Sequence, residues 1–183
     1  MTRTEPAGRL PQLLASALDL ARVSDDLHDA LRLALDLVAE FAALPLGHAV
    51  LVDDANGTLT STGVWHCREP ELFADFIDRS EALVHAPGQG LPGRVVESGR
   101  SAWISDVADD ENFVRRDLAL ASGIRTAITA PVLSARGLVG VIEFFSVDPV
   151  ERDDDVAAVI DQVAALLGAT ADRLHDAAER AQA

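Results

Sequence analysis

Residues 88–105 read Gly-Gln-Gly-Leu-Pro-Gly-Arg-Val-Val-Glu-Ser-Gly-Arg-Ser-Ala-Trp-Ile-Ser, residues 123–133 Gly-Ile-Arg-Thr-Ala-Ile-Thr-Ala-Pro-Val-Leu, and residues 137–145 Gly-Leu-Val-Gly-Val-Ile-Glu-Phe-Phe. The first run predicts a turn and then a short helix over 91–98. Pro92 falls in the first turn of that helix, where a missing N–H is harmless, and Gly99 closes it. Residues 102–105 follow as a short strand. Residues 106–123 form a loop with a helix over 117–122, and 125–133 and 138–147 form two strands joined around Ser134-Ala-Arg-Gly137. In the last strand apolar residues occupy both alternating sets of positions, so both faces of the sheet must be covered.

Working upstream, Leu10, Leu13, Leu14, Ala17, Leu18 and Ala21 recur every three or four residues. They stripe an opening helix that follows a disordered-looking start over 1–9. Ser24 or Asp25 is placed to cap a second helix, striped by Leu27, Leu31, Leu35, Val38 and Phe41 and ended by Pro45. Residues 47–52 turn to a strand, Asp54-Ala-Asn-Gly57 supplies a hairpin turn able to take positive φ, and 58–65 returns. Residues 69–84 then read as helical.

Downstream, Asp153, Asp154 and Asp155 suit the positive end of a helix dipole. Val156, Ile160, Val163, Leu167, Thr170, Leu174, Ala177 and Ala181 then alternate four and three apart, a heptad seam. Its early part covers the sheet. Beyond about Thr170 little of so small a domain is left to touch, so a partner helix is the simplest use, and a symmetric dimer the expectation.

At 183 residues, 49% apolar and 25% charged, the chain suits one globular domain, with residues 10–183 forming it. Fifteen Lys plus Arg against thirty Asp plus Glu leave a formal charge of −15, which repels nucleic acid and anionic membranes. The single cysteine, Cys67, excludes an intramolecular disulfide and a Cys-rich zinc site, and it points to a reducing compartment, the cytoplasm. No run approaches the ~20 consecutive apolar residues of a membrane span.

Motifs of enzymatic chemistry are missing: no Gly-x-Ser-x-Gly, no phosphate loop and no His-Glu-x-x-His. Gly88, Gly90 and Gly93 give Gly-x-Gly-x-x-Gly, but a dinucleotide fingerprint needs a strand just before it within a βαβ unit, and a polar helix and Pro87 stand there. His66 and Cys67 adjoin in sequence, yet neighbours on a strand point to opposite faces. His28, His48, His85 and His175 are too dispersed to suggest a ligand set. Asp106, Asp109, Asp110, Glu111 and Asn112 lack the spacing of a calcium loop and read as caps and turns.

The ordered set of turn, short helix, strand, arginine-bearing loop (Asn112-Phe-Val-Arg-Arg116) and paired apolar strands resembles a GAF domain, over roughly 27–167 and most specifically over 88–145. The resemblance implies an α+β fold. Its central antiparallel sheet has about five or six strands, with N- and C-terminal helices (10–44 and 153–182) on one face and a lid of loops and short helices on the other. It also implies a non-enzymatic sensory or regulatory domain of bacterial signalling proteins, which binds a small molecule between sheet and lid and acts through its terminal helices on a partner. No cofactor is assigned. The loop over 106–125 lacks the cysteine that bilin-attaching members use, and the single cysteine departs from the several of the free methionine sulfoxide reductase type.

In such a fold Trp65, Trp103, Phe113, Ile128 and Phe144 would line one cavity. Arg115 or Arg116 would hold an anionic group, and of the two Arg116 is the candidate. Glu143, inside an apolar strand, must reach solvent, pair with an arginine such as Arg125, or meet a polar ligand. Two other readings stay open: a redox-active thiol at Cys67, and a dimerisation module without a ligand.

Overall fold

The computed structural model describes residues 15–16, 24–53 and 55–182. Ala15 and Ser16 are helical, while all six residues of the opening stripe, and the start over 1–9, lie outside the described residues. The first full helix, α1, is Leu27–Ala42. It is capped by Asp26 rather than Ser24 or Asp25, because Asp26 has the extended backbone that lets its carboxylate accept the Asp29 N–H at 2.8 Å. It ends at Ala43 in the left-handed region, φ 56°, whose N–H returns to the Ala39 carbonyl.

Strands β1 (Leu46–Val52) and β2 (Leu59–Cys67) form the expected hairpin, with Gly57 at φ 70° in the turn. Helix α2 (Pro70–Glu81) stops short of the expected end. Val84–His85 instead makes a two-residue strand, β3, against Leu59 and Thr60, because the outer edge of β2 has backbone groups to satisfy. Then come α3 (Gly90–Ser98), β4 (Ala102–Ile104), a 3₁₀ turn (Val107–Asp109), α4 (Arg116–Ala121), β5 (Thr126–Ser134), β6 (Gly137–Ser146) and α5 (Asp154–Gln182).

The six strands make one antiparallel sheet in the order β3-β2-β1-β6-β5-β4. Its centre is the β1–β6 pair, which joins the first strand to the last. Helices α1 and α5 cover one face, where Leu31, Leu35, Val38, Ile160, Val163 and Leu167 meet Ile128, Ala130, Val132, Ile142 and Phe144. Gly168 allows the close approach of α5: a Cβ there would overlap the carbonyl oxygen of Leu133 on β5. The opposite face carries a lid of α2, α3 and α4, packed through Phe73, Phe76, Leu91, Phe113 and Ile124 onto Leu46, Ala127 and Phe145.

The buried residues of α5 end at Thr170, as the heptad seam implies, but the turns beyond it are not without contacts. Arg136, in the β5–β6 turn, donates to Asp172 at 3.0 Å and to Asp176 at 2.6 Å, and Arg173 donates to the Ser24 carbonyl at 2.5 Å. Leu174 is half-buried, whereas Ala177 and Ala181 are exposed.

Candidate functional site

Side chains on adjacent strands line up in rows, and strand alternation assigns each row to one face. One row runs Trp65 (β2), His48 (β1), Glu143 (β6), Thr129 (β5) and Ala102 (β4), beneath the lid. The next runs His66, Gly47, Phe144, Ile128 and Trp103, beneath the helices. The polar row is unusual because the lid above it is mostly apolar and its three central members, His48, Glu143 and Thr129, are shut away from water.

Glu143 is 0% exposed, and its two oxygens are taken separately. The Arg115 guanidinium donates to one at 2.6 Å, and His48 Nδ1 meets the other at 3.2 Å. Arg115 also donates to Ser80 Oγ on α2 at 3.2 Å. Its guanidinium carbon lies 5.1, 5.6 and 5.4 Å from the ring centres of Phe76, Phe113 and Phe145, a cage of three rings around one cation. His48 Nε2 lies 2.9 Å from Ser61 Oγ, and the imidazole stacks on Trp65 with centroids 3.7 Å apart.

Burial alone would push the Glu143 carboxyl upward, but the charge of Arg115 and the hydrogen bond from His48 outweigh it and pull the group down to about 2. Burial dominates at His48 and lowers it below its ordinary value, against the pull of Glu143. A neutral imidazole beside an ionised carboxylate must carry its proton on Nδ1, leaving Nε2 to accept from the Ser61 hydroxyl. His85, in β3 and four residues beyond the end of α2, is likewise lowered by burial. Thr129 Oγ1 is buried with no hydrogen-bond partner in the structure. The cluster is therefore a neutral assembly of one cation, one anion and a neutral imidazole, with one hydroxyl unanswered.

Of the residues singled out from the sequence, Trp65, Phe113 and Glu143 come together on the lid face. Trp103, Ile128 and Phe144 lie on the helix face, so the seven do not surround one cavity. Trp103 donates through Nε1 to the Val150 carbonyl at 2.9 Å and borders a surface cleft of about 490 Å³ with Asp106, Asp109 and Glu151. Arg116 points outward beside Asp117, 3.9 Å away, and the inward arginine is Arg115. The pairing of Glu143 with Arg125 is corrected too: Arg125 donates to Asp106 through Nε at 3.0 Å, since both sit at the loop end of β5, away from the middle of β6.

The sequence reading passes over Ser80 and Thr129, and it sets His48 and His85 aside as too dispersed for a ligand set. His48 and Thr129 carried a signal, each being a polar residue at an inward position of an otherwise apolar strand. Ser80 and His85 carried none.

The lid is fastened near this cluster. Asn112 accepts from the Gly90 N–H at 3.3 Å and donates to the Gly88 carbonyl at 3.2 Å, and Arg94 donates to Asp110 at 2.9 Å. The glycine run thus opens α3 and anchors the lid loop. Cys67 is half-buried on the lid side, where burial pushes its thiol up, and His66 faces the other way, 2.6 Å from Asp36 on α1. Among the described residues no group of three or more His, Cys, Asp or Glu is arranged to hold a metal ion.

Residues 24–171 match the family model of the GAF domain. The chain is similar in structure to the GAF domain of an Acinetobacter phosphoenolpyruvate-protein phosphotransferase, with a TM-score of 0.73 and 16% identity over 98% of this chain and 99% of that one. It is similar to the free methionine-R-sulfoxide reductase of Neisseria meningitidis solved with its substrate, with a TM-score of 0.76 and 16% identity over 97% and 96% of the two chains. The chromophore-binding domain of an R. palustris bacteriophytochrome gives a TM-score of 0.72 and 12% identity over 96% of this chain and 64% of that one. At such identities these likenesses bear on the fold alone. No curated protein matches the sequence.

Proposed function

The chain belongs to the GAF domain family, and from that premise we propose that it is a sensory or regulatory module that takes a small molecule on the lid face of its sheet. Occupancy is conveyed through α1 and α5, on the other face, to a signalling partner. The observation that carries this reading is the Arg115–Glu143–His48 cluster inside an apolar lid. A buried ion pair adds little stability over well-packed hydrophobic residues of the same volume. Fold stability therefore does not account for it, whereas a site for a polar ligand does. Lid-side binding would favour one of two arrangements of the helices by its difference in affinity for them.

The module works as a homodimer through its terminal helices, in the cytoplasm, and without chemistry of its own. A thiol raised by burial, with its neighbouring imidazole on the opposite face, is poorly suited to nucleophilic or redox work. Replacing Cys67 by serine should leave ligand binding and association unchanged. A surface of net charge −15 disfavours nucleic acid, and among the described residues no helix is long and apolar enough to cross a membrane.

The test is native mass spectrometry of freshly purified protein, followed by a thermal-shift screen of small metabolites. A co-purifying mass, or a compound that raises the midpoint in wild type and not in Trp65→Ala, is the expected result. A bare polypeptide mass with no responsive compound would leave only the ligand-free dimerisation module.

A further inference from the structure

Two features of the buried pair distinguish its members. Glu143 lies in β6, a central strand hydrogen-bonded on both sides, so its carboxylate is fixed by the sheet. Arg115 precedes α4 in the lid loop, which belongs to no strand and is held by turns and by Asn112. If the pair parts, the arginine leaves and the glutamate stays. What stays with it on the sheet is the face of Phe145 and the Thr129 hydroxyl that has no partner even with the lid closed, and α2, a part of the lid separate from the arginine's loop, keeps the Ser80 hydroxyl and the face of Phe76 beside them.

A fixed carboxylate, a hydroxyl and two aromatic faces select for positive charge, since the carboxylate supplies charge-assisted hydrogen bonds and the rings a cation–π surface. The geometry points to Arg115 as a built-in stand-in for the ligand: the space its side chain fills on the lid face takes a small organic cation bearing a guanidinium or amino group, which displaces the Arg115 side chain and releases its loop. This rests on the lid-face reading above and adds the chemical class of the ligand. Apparent affinity in the wild type is reduced by the fraction of molecules whose arginine is out, because only those are competent to bind. Removing the arginine removes that penalty.

The probes are methylguanidinium, its neutral isostere methylurea, and propionate, each as a matched salt or solute at equal ionic strength. In Arg115→Ala, methylguanidinium is expected to raise the unfolding midpoint saturably, with about tenfold tighter binding than methylurea and than methylguanidinium on wild type. Adding Glu143→Gln to that variant should abolish the preference. Equal responses to methylguanidinium and methylurea, or a stronger one to propionate, would overturn the cation assignment.

Arg115→Ala leaves a buried carboxylate unpaired, so a second measurement uses the wild-type full chain. Nitrogen-15 spectra of the Arg115 Nε–H should show faster exchange with water as methylguanidinium saturates. Unchanged protection at saturation would overturn the displacement. Binding of propionate with Trp65 perturbed would sink this inference and leave the lid-face reading standing, whereas that reading falls separately, on the bare mass and silent screen described above.

Discussion

Glu143 and Arg115 neutralise each other where water does not reach, and this sets what a single substitution does. Glu143→Gln keeps the shape but leaves a guanidinium among three phenyl rings with no counter-charge, and it should lower the unfolding free energy by about 3–5 kcal/mol. Urea unfolding measures it. Arg115→Met combined with Glu143→Gln should lose clearly less than the two single losses added together, and strict additivity would show that the pair is not coupled. Acid acts on the same cluster. The folded chain holds His48 and His85 below their ordinary 6.5, so the unfolded chain takes up protons that the folded one refuses, and stability falls as pH drops below about 6.5. Glu143, held at about 2 against an ordinary 4.5, adds a further loss below about 4.5. In urea titrations between about pH 7.5 and 5, His48→Gln should flatten the first loss, and an unchanged slope would clear His48 of it. Glu143 was legible from sequence because an acid inside an apolar strand has to be answered. Its partner was not, since the choice between Arg115 and Arg116 turns on where a six-residue helix begins, a matter of one residue that the sequence pattern does not resolve.

At the level of elements, strand alternation decided which candidates could meet. The hairpins, α3 with its glycine stop and the long last helix were all legible, because turn residues and apolar spacing mark them directly. The partition of Trp65 from Trp103 needed the register across β4, β5 and β6, and register comes from pairings that no single strand specifies. Strand β3 escaped for a similar reason: two residues have no period, and the edge of β2 recruited them. Helix α5 offers a sharper test. Gly168→Ala pushes a methyl group into the Leu133 carbonyl, which must move α5 or β5, and a loss of about 1–3 kcal/mol is expected. A thermal melt within error of wild type would mean that the helix sits further from the strand than described.

For the whole molecule, the −15 charge and the exposed end of α5 bear on association. Polar bonds from Arg136 fasten that end along Asp172 and Asp176, leaving Ala177 and Ala181 open to a second copy. Sedimentation velocity should find a dimer in the wild type and a monomer in Ala177→Glu combined with Ala181→Glu, both with the same circular dichroism. A wild-type monomer at tens of micromolar would remove the dimer from the proposal. The overall architecture was readable because local patterns agreed with one another; the proposed association surface rests only on a seam running past the core.

Glu143 and Phe144 are successive residues of β6, one under the lid and one under the helices. The floor of the proposed ligand site is therefore also the ceiling of the helix side, and a single peptide plane separates them. A sensor built this way has no corridor to signal along: whatever tilts the floor has already moved what stands on the storey below.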